Sequence, residues 1–280
     1  MLCALLLAGA LASAATPDAA NVPPTPIFRS YGVADGLPST EVYTVAQDDA
    51  GYLWIGTHAG LVRYDSRDFK VFRHDPTRPD SLPANDVSAV LVDRAGRIWA
   101  GGEGTGLNRY EPATNGFRHW MHEAARPDSL SANDVMAIAE DKAGAVWVGV
   151  YAGGLDKLQP DGRGFMHWRH SKDDIASIAS DNVTALAPAD DGGMWIGTDA
   201  GLDRMDAQGR VHHVALVAGT SPPIVWQVHA GSDGVDVATS AGLFHVDARG
   251  IATPIGAARS SIPQSPRRSR RPRGCMVRRG

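Results

Sequence analysis

A tryptophan-centred unit recurs four times in this 280-residue chain and constrains its fold more than any other feature. The copies are Val42–Asp65, Val87–Glu111, Val135–Leu158 and Val183–Asp206, with Trp54, Trp99, Trp147 and Trp195 at matching positions. Successive tryptophans stand 45, 48 and 48 residues apart. Each copy opens on a β-rich run: Val42–Val45, Val87–Val90, Val135–Ile138 or Val183–Leu186. An Asp-x-Ala-Gly turn follows at Asp48–Gly51, Asp93–Gly96 and Asp141–Gly144, and we place it at Asp190–Gly193 in the fourth copy. Asp accepts backbone hydrogen bonds at such a turn, and Gly51, Gly96 and Gly144 supply its positive φ. The second strand carries the tryptophan and, two residues on, Gly56, Gly101, Gly149 or Gly197. Gly60-Leu61, Gly106-Leu107, Gly154-Leu155 and Gly201-Leu202 open a third strand. Phe69–His74, Phe117–His122 and Phe165–His170 read as a fourth.

Four antiparallel strands in 45–48 residues make one blade, so the chain is expected to be an all-β propeller. A fifth, decayed copy runs over Val225–Asp247, with Asp236 where tryptophan is expected. Ile27–Glu41 matches a fourth strand and its connector, as though the ring opens on the outer strand of a blade completed from the far end. After about Pro254 the pattern stops, which leaves that ring incomplete.

The expected layout is a signal peptide at 1–15, a Pro/Ala-rich linker at 16–26, repeats over 27–254, and a disordered basic tail over 255–280 whose reading frame is itself in question. Met1–Ala15 has an apolar run and an Ala-Ser-Ala cleavage pattern, so export is expected. Arg259–Gly280 holds eight Arg and no acid, leaving 31 Asp and Glu against 19 Lys and Arg in the rest. An acidic body argues against nucleic acid as a partner, because phosphate binding needs Lys and Arg on one face. Cys3 and Cys275 both lie outside the repeats, which therefore have no disulfide and no thiolate ligand.

The string N-D-V-x-x-I-x-x-D-x-x-G-x-L-W-I-G-T-x-x-G-L-x-R-Y, preceded by P-D-S-L-S/P-A, resembles the two-component regulator propeller repeat. It stands here at Asn85–Tyr110 and Asn133–Leu158, and in altered form at Val42–Tyr64 and Asp181–Met205. The resemblance implies a periplasmic sensor propeller of seven blades, followed by an immunoglobulin-like domain, a membrane helix and a histidine kinase or diguanylate cyclase. This chain encodes about five blades and carries no kinase or cyclase motif. The expectation is therefore a non-enzymatic, truncated sensor, with a membrane connection and any homodimer belonging to missing segments.

The residues that look chemical are mostly expected to be scaffold. Identical placement in every copy makes the four tryptophans packing residues between blades. His119/His122 and His167/His170 are three apart on strands, so each pair points to opposite faces and cannot chelate together. Surface exposure or packing between blades is expected of them. Gly101–Gly106 lacks phosphate-loop spacing, and Asp190–Gly193 occupies a hairpin turn. No metal site and no cofactor are expected. Ligand binding is expected where copies differ after the Trp-x-Gly motif, at His58, Glu103, Tyr151 and Asp199, for an unidentified small molecule or oligosaccharide. An exported quinoprotein-type dehydrogenase and a protein-interaction scaffold are the alternatives.

Overall fold

The computed structural model describes residues 28–216, 221–231 and 233–256. The leader, the linker and the Arg-rich tail of the sequence analysis lie outside them. The chain divides into two units, Met1–Tyr31 and Gly32–Gly280. In the first, Phe28–Tyr31 form no strand, and the Arg29 guanidinium lies over the Tyr31 ring at 4.8 Å.

The second unit contains five four-stranded antiparallel sheets, each a simple meander. Blade 1 is β1 (Val42–Gln47), β2 (Leu53–Thr57), β3 (Gly60–Tyr64) and β4 (Phe69–Phe72). Blade 2 is β5 (Ala89–Val92), β6 (Ile98–Gly102), β7 (Gly106–Glu111) and β8 (Gly116–Trp120). Blade 3 is β9 (Val135–Glu140), β10 (Val146–Val150), β11 (Gly154–Leu158) and β12 (Phe165–Trp168). Blade 4 is β13 (Val183–Pro188), β14 (Met194–Thr198), β15 (Gly201–Met205) and β16 (Val211–Val214). Blade 5 is β17 (Val225–Ala230), β18 (Gly234–Thr239), β19 (Gly242–Asp247) and β20 (Ala252–Pro254). The first strands of successive blades lie side by side, from β1 through β5, β9 and β13 to β17.

Among the described residues, the expected opening strand does not form, although its first residue, Ile27, lies outside them. In the second unit, Val33–Asp35 form a single 3-10 turn within the expected connector. Gly36, at φ 111°, turns the chain after Asp35 and sends Leu37 into the core of blade 1.

The spacing from aspartate to tryptophan has a direct cause. The Asp48 carboxylate accepts hydrogen bonds from the backbone N–H groups of Ala50 and Tyr52, and from Trp54 Nε1 at 2.8 Å. Asp93 holds Trp99 Nε1 at 2.7 Å, and Asp141 holds Trp147 Nε1 at 2.9 Å. One side chain thus closes the hairpin turn and fixes the indole six residues on. The fourth copy corrects the register given above: Gly192 takes the positive φ, 88°, and its N–H donates to Ala189 O. Its turn is Ala189–Gly192, one residue earlier, with alanine where the carboxylate stands elsewhere.

Blades join along a seam of glycine and valine. Val87, Val135, Val183 and Val225 are fully buried against the preceding blade. A Cβ added to Gly56 would sit 2.4 Å from Val87 O, and one on Gly101 2.4 Å from Val135 Cγ1. Gly149 and Gly197 meet Val183 and Val225 in the same way. Only a residue without a side chain admits the next blade at that distance. The four tryptophans, 1–6% exposed, flank the seam and lie in hydrophobic clusters that each span two blades. At the free face of blade 1, Val42 is 43% exposed. In blade 5, Ala238 stands in the glycine position and Asp236 in the tryptophan position.

Candidate functional site

The turns between second and third strands meet the connectors between blades at one end of the sheets. His58 N–H donates to Glu41 O, Tyr151 N–H to Asp134 O and Asp199 N–H to Asn182 O. Side chains tie adjacent blades there as well. Asp134 accepts from Gly104 N–H, and Asn182 accepts from Ala152 N–H while donating to Asp199 Oδ2 at 2.6 Å. His58 Nδ1 lies 3.0 Å from Asp86 Oδ2. The residue before each inward valine (Glu41, Asp86, Asp134 and Asn182) therefore lines this mouth.

Bulges bring a second row of side chains to the same end. In four blades the first strand skips one residue in its pairing: Tyr43, Met136, Thr184 and Trp226. A bulge of this kind leaves one residue unpaired and re-aims its side chain. Tyr43, Met136 and Trp226 are all exposed. Partial desolvation, then the carboxylates of Asp86, Glu41 and Glu103, push the Tyr43 phenol above its usual range. Those groups thus face one another across blades 1 and 2. His58 and Glu103 line one open depression of about 690 Å3, together with Asn85, Asp86 and Asp134. Tyr151 and Asp199 stand on the next two turns and do not line it. The bulge residues went unread in the sequence, although each is the second residue of the repeated Val-x run.

Of the paired histidines, His122 and His170 are exposed and His119 and His167 half-buried, and each also makes a specific contact. His74, His122 and His170 each bring Nδ1 to a connector carbonyl, of Leu82, Leu130 and Ile178 respectively. His119, His167 and His213 face the third strand, where Nδ1 meets Asn108, Asp156 and Asp203 at 2.6–2.7 Å. Asp156 and Asp203 also accept the connector N–H groups of Ser131 and Ala179. These contacts fasten each connector onto its blade, so the histidines hold the mouth in place from behind. Burial drives Asp203 upward, against the hydrogen bond from Ala179 and the contact with His213. Burial likewise lowers His119.

No helix among the described residues is long and apolar enough to cross a membrane. The family model for the two component regulator propeller matches this chain four times, at residues 36–59, 81–104, 129–152 and 177–200. A curated relative, Histidine kinase P4 of Formosa agariphila, is 40% identical over 50 residues, 18% of this chain and 4% of that protein. Among solved structures, the extracellular domain of the hybrid two component system BT3049 of B. thetaiotaomicron superposes with a TM-score of 0.70 at 25% identity. That match covers 80% of this chain and 31% of the other. Virginiamycin B lyase of Staphylococcus aureus shares the fold, with a TM-score of 0.57 at 15% identity over 78% of this chain and 71% of the lyase. The chain thus spans less than a third of that extracellular domain.

Proposed function

From a chain built on the two component regulator propeller repeat, we propose that these blades are the exported, ligand-sensing part of a transmembrane signalling protein. The observation carrying this reading is the likeness, over 80% of the chain, to an extracellular domain of a hybrid two component system. The site is the mouth at the connector end, where His58, Glu103 and Tyr151 differ from copy to copy while glycine and tryptophan repeat. Its carboxylates, with exposed Tyr43 and Tyr151, suit a neutral or cationic ligand that donates hydrogen bonds, and they repel anions. A small polyol or oligosaccharide fits that description. In this reading the chain performs no catalysis, and the likeness to the lyase is one of fold.

Two experiments test it. A phosphatase fusion after residue 256 should be active outside the cytoplasm, and an inactive fusion would remove the exported reading. Thermal-shift screening with neutral and anionic saccharides should give a stabilising neutral compound whose effect is lost in Glu103→Ala/Tyr151→Ala. Equal stabilisation of that variant would move the site elsewhere.

A further inference from the structure

Blade 5 breaks the repeat along one row. Across the first three strands of blades 1–4, directly paired residues read Ala46–Trp54–Arg63, Leu91–Trp99–Arg109, Ala139–Trp147–Lys157 and Ala187–Trp195–Arg204. In blade 5 the same row reads His229–Asp236–His245. We propose that these three side chains form a binding site for a borderline divalent transition ion of the Zn2+ class.

Residues directly opposite on antiparallel strands share a face, with Cβ atoms about 4.5–5.5 Å apart. Two imidazoles therefore flank one carboxylate on a single rigid sheet. That ligand set suits zinc and its neighbours rather than Ca2+ or Mg2+, which call for oxygen ligands. His245 Nδ1 already lies 2.9 Å from Asp236 Oδ1. An ion bound by both takes the place of the proton between them, which requires the two atoms to separate by only a few tenths of an ångström, roughly, given metal–ligand bonds of about 2.0–2.1 Å. The other ring nitrogen, Nε2, faces Asp233 Oδ2 at 3.8 Å. A carboxylate behind a metal-bound imidazole fixes its tautomer and orientation.

His229 supplies the third ligand. It is exposed and makes no hydrogen bond or ion pair with a described residue, whereas the other histidines of blades 1–4 each have a partner. The three side chains are not yet gathered on one point. Rotation about χ1 and χ2 of an exposed histidine brings its ring over Asp236. Unlike the tryptophans it replaces, Asp236 has a side chain that is 58% exposed. The fourth coordination position faces solvent and takes water.

The test is titration of the full, chelator-treated chain, purified without a histidine tag, with Zn2+ by calorimetry and with Co2+ by visible absorption. One ion per chain is expected, with a Co2+ spectrum of low coordination number. His229→Ala, Asp236→Asn and His245→Ala should each weaken binding at least tenfold, while His212→Ala leaves it unchanged. Absence of stoichiometric binding, or binding retained in His229→Ala/His245→Ala, would overturn the proposal. If a variant fails to fold, carbethoxylation of the unaltered protein decides. Zn2+ should protect His229 and His245 together, and modification of both at the same rate with and without Zn2+ would overturn the site.

Discussion

Blades 2 and 5 share a ladder and a meander, yet they treat the middle of the sheet in opposite ways. In blade 2, Asp93 ties its turn to Trp99, the indole is 1% exposed, and Gly101 lets Val135 of the next blade close over it. In blade 5 the tryptophan is Asp236 and the glycine is Ala238, and the row lies open. The repeated residues are therefore required by the neighbouring blade and not by the sheet that carries them.

Substitutions in matching positions sharpen this contrast. Trp99→Ala should cost about 3–5 kcal/mol, because it removes a large buried side chain and leaves a cavity. Denaturant unfolding measures it. Gly56→Ala should come next, at about 1–3 kcal/mol, since its Cβ would press on the backbone oxygen of Val87. The reverse change in blade 5, Ala238→Gly, should cost about 0.5–1 kcal/mol, the backbone penalty of a glycine in a strand alone. Asp236→Ala should fall within about 0.5 kcal/mol of the unaltered chain, as an exposed substitution does. Equal losses for Trp99→Ala and Asp236→Ala would break the comparison.

Acid titration probes the same turn. Burial raises the Asp93 carboxyl, but the hydrogen bonds from Trp99, Arg97 N–H and the Arg97 guanidinium outweigh it, so the group stays below its ordinary range. A depressed folded-state value stabilises the fold above the unfolded pKa, about 3.9, and that stabilisation fades as pH falls through the folded value. The melting temperature of the unaltered chain should therefore fall below about pH 4 more steeply than that of Asp93→Asn. Parallel curves would show that the carboxylate contributes nothing through its charge.

Most of the fold was legible because each blade restates the same demands. Asp48 and Trp54, like Gly56 and Val87, recur as pairs with fixed separations, and a fixed separation is readable in one chain. The fourth turn was misplaced by one residue because Asp190 and Gly193 offer the usual Asp and Gly one position late, while the true turn starts on Ala189 and puts its positive φ at Gly192. Counting six residues back from Trp195 leads to Ala189, which selects the right register. The opening segment was read as a strand and connector because Asp35-Gly36-Leu37-Pro38 matches Asp80-Ser81-Leu82-Pro83, whereas strand formation depends on a partner strand that such a match does not supply. At the mouth, His58 and Glu103 drew attention because they vary between copies. Tyr43 and Trp226 were missed because their exposure comes from bulges, which have no signature in residue type. The connector contacts of His122 and His170 were equally hidden, since their partners are backbone carbonyls eight residues away.

Native-state hydrogen exchange, read strand by strand with mass spectrometry, tests most directly whether the seam between blades holds this molecule together. Amides of β6, β10 and β14, each covered by a following blade, should exchange only through openings close to global unfolding. Those of β18 should exchange at least tenfold faster, through local opening of blade 5. Uniform protection across all five blades would contradict the account, because each sheet would then be stable without its neighbour.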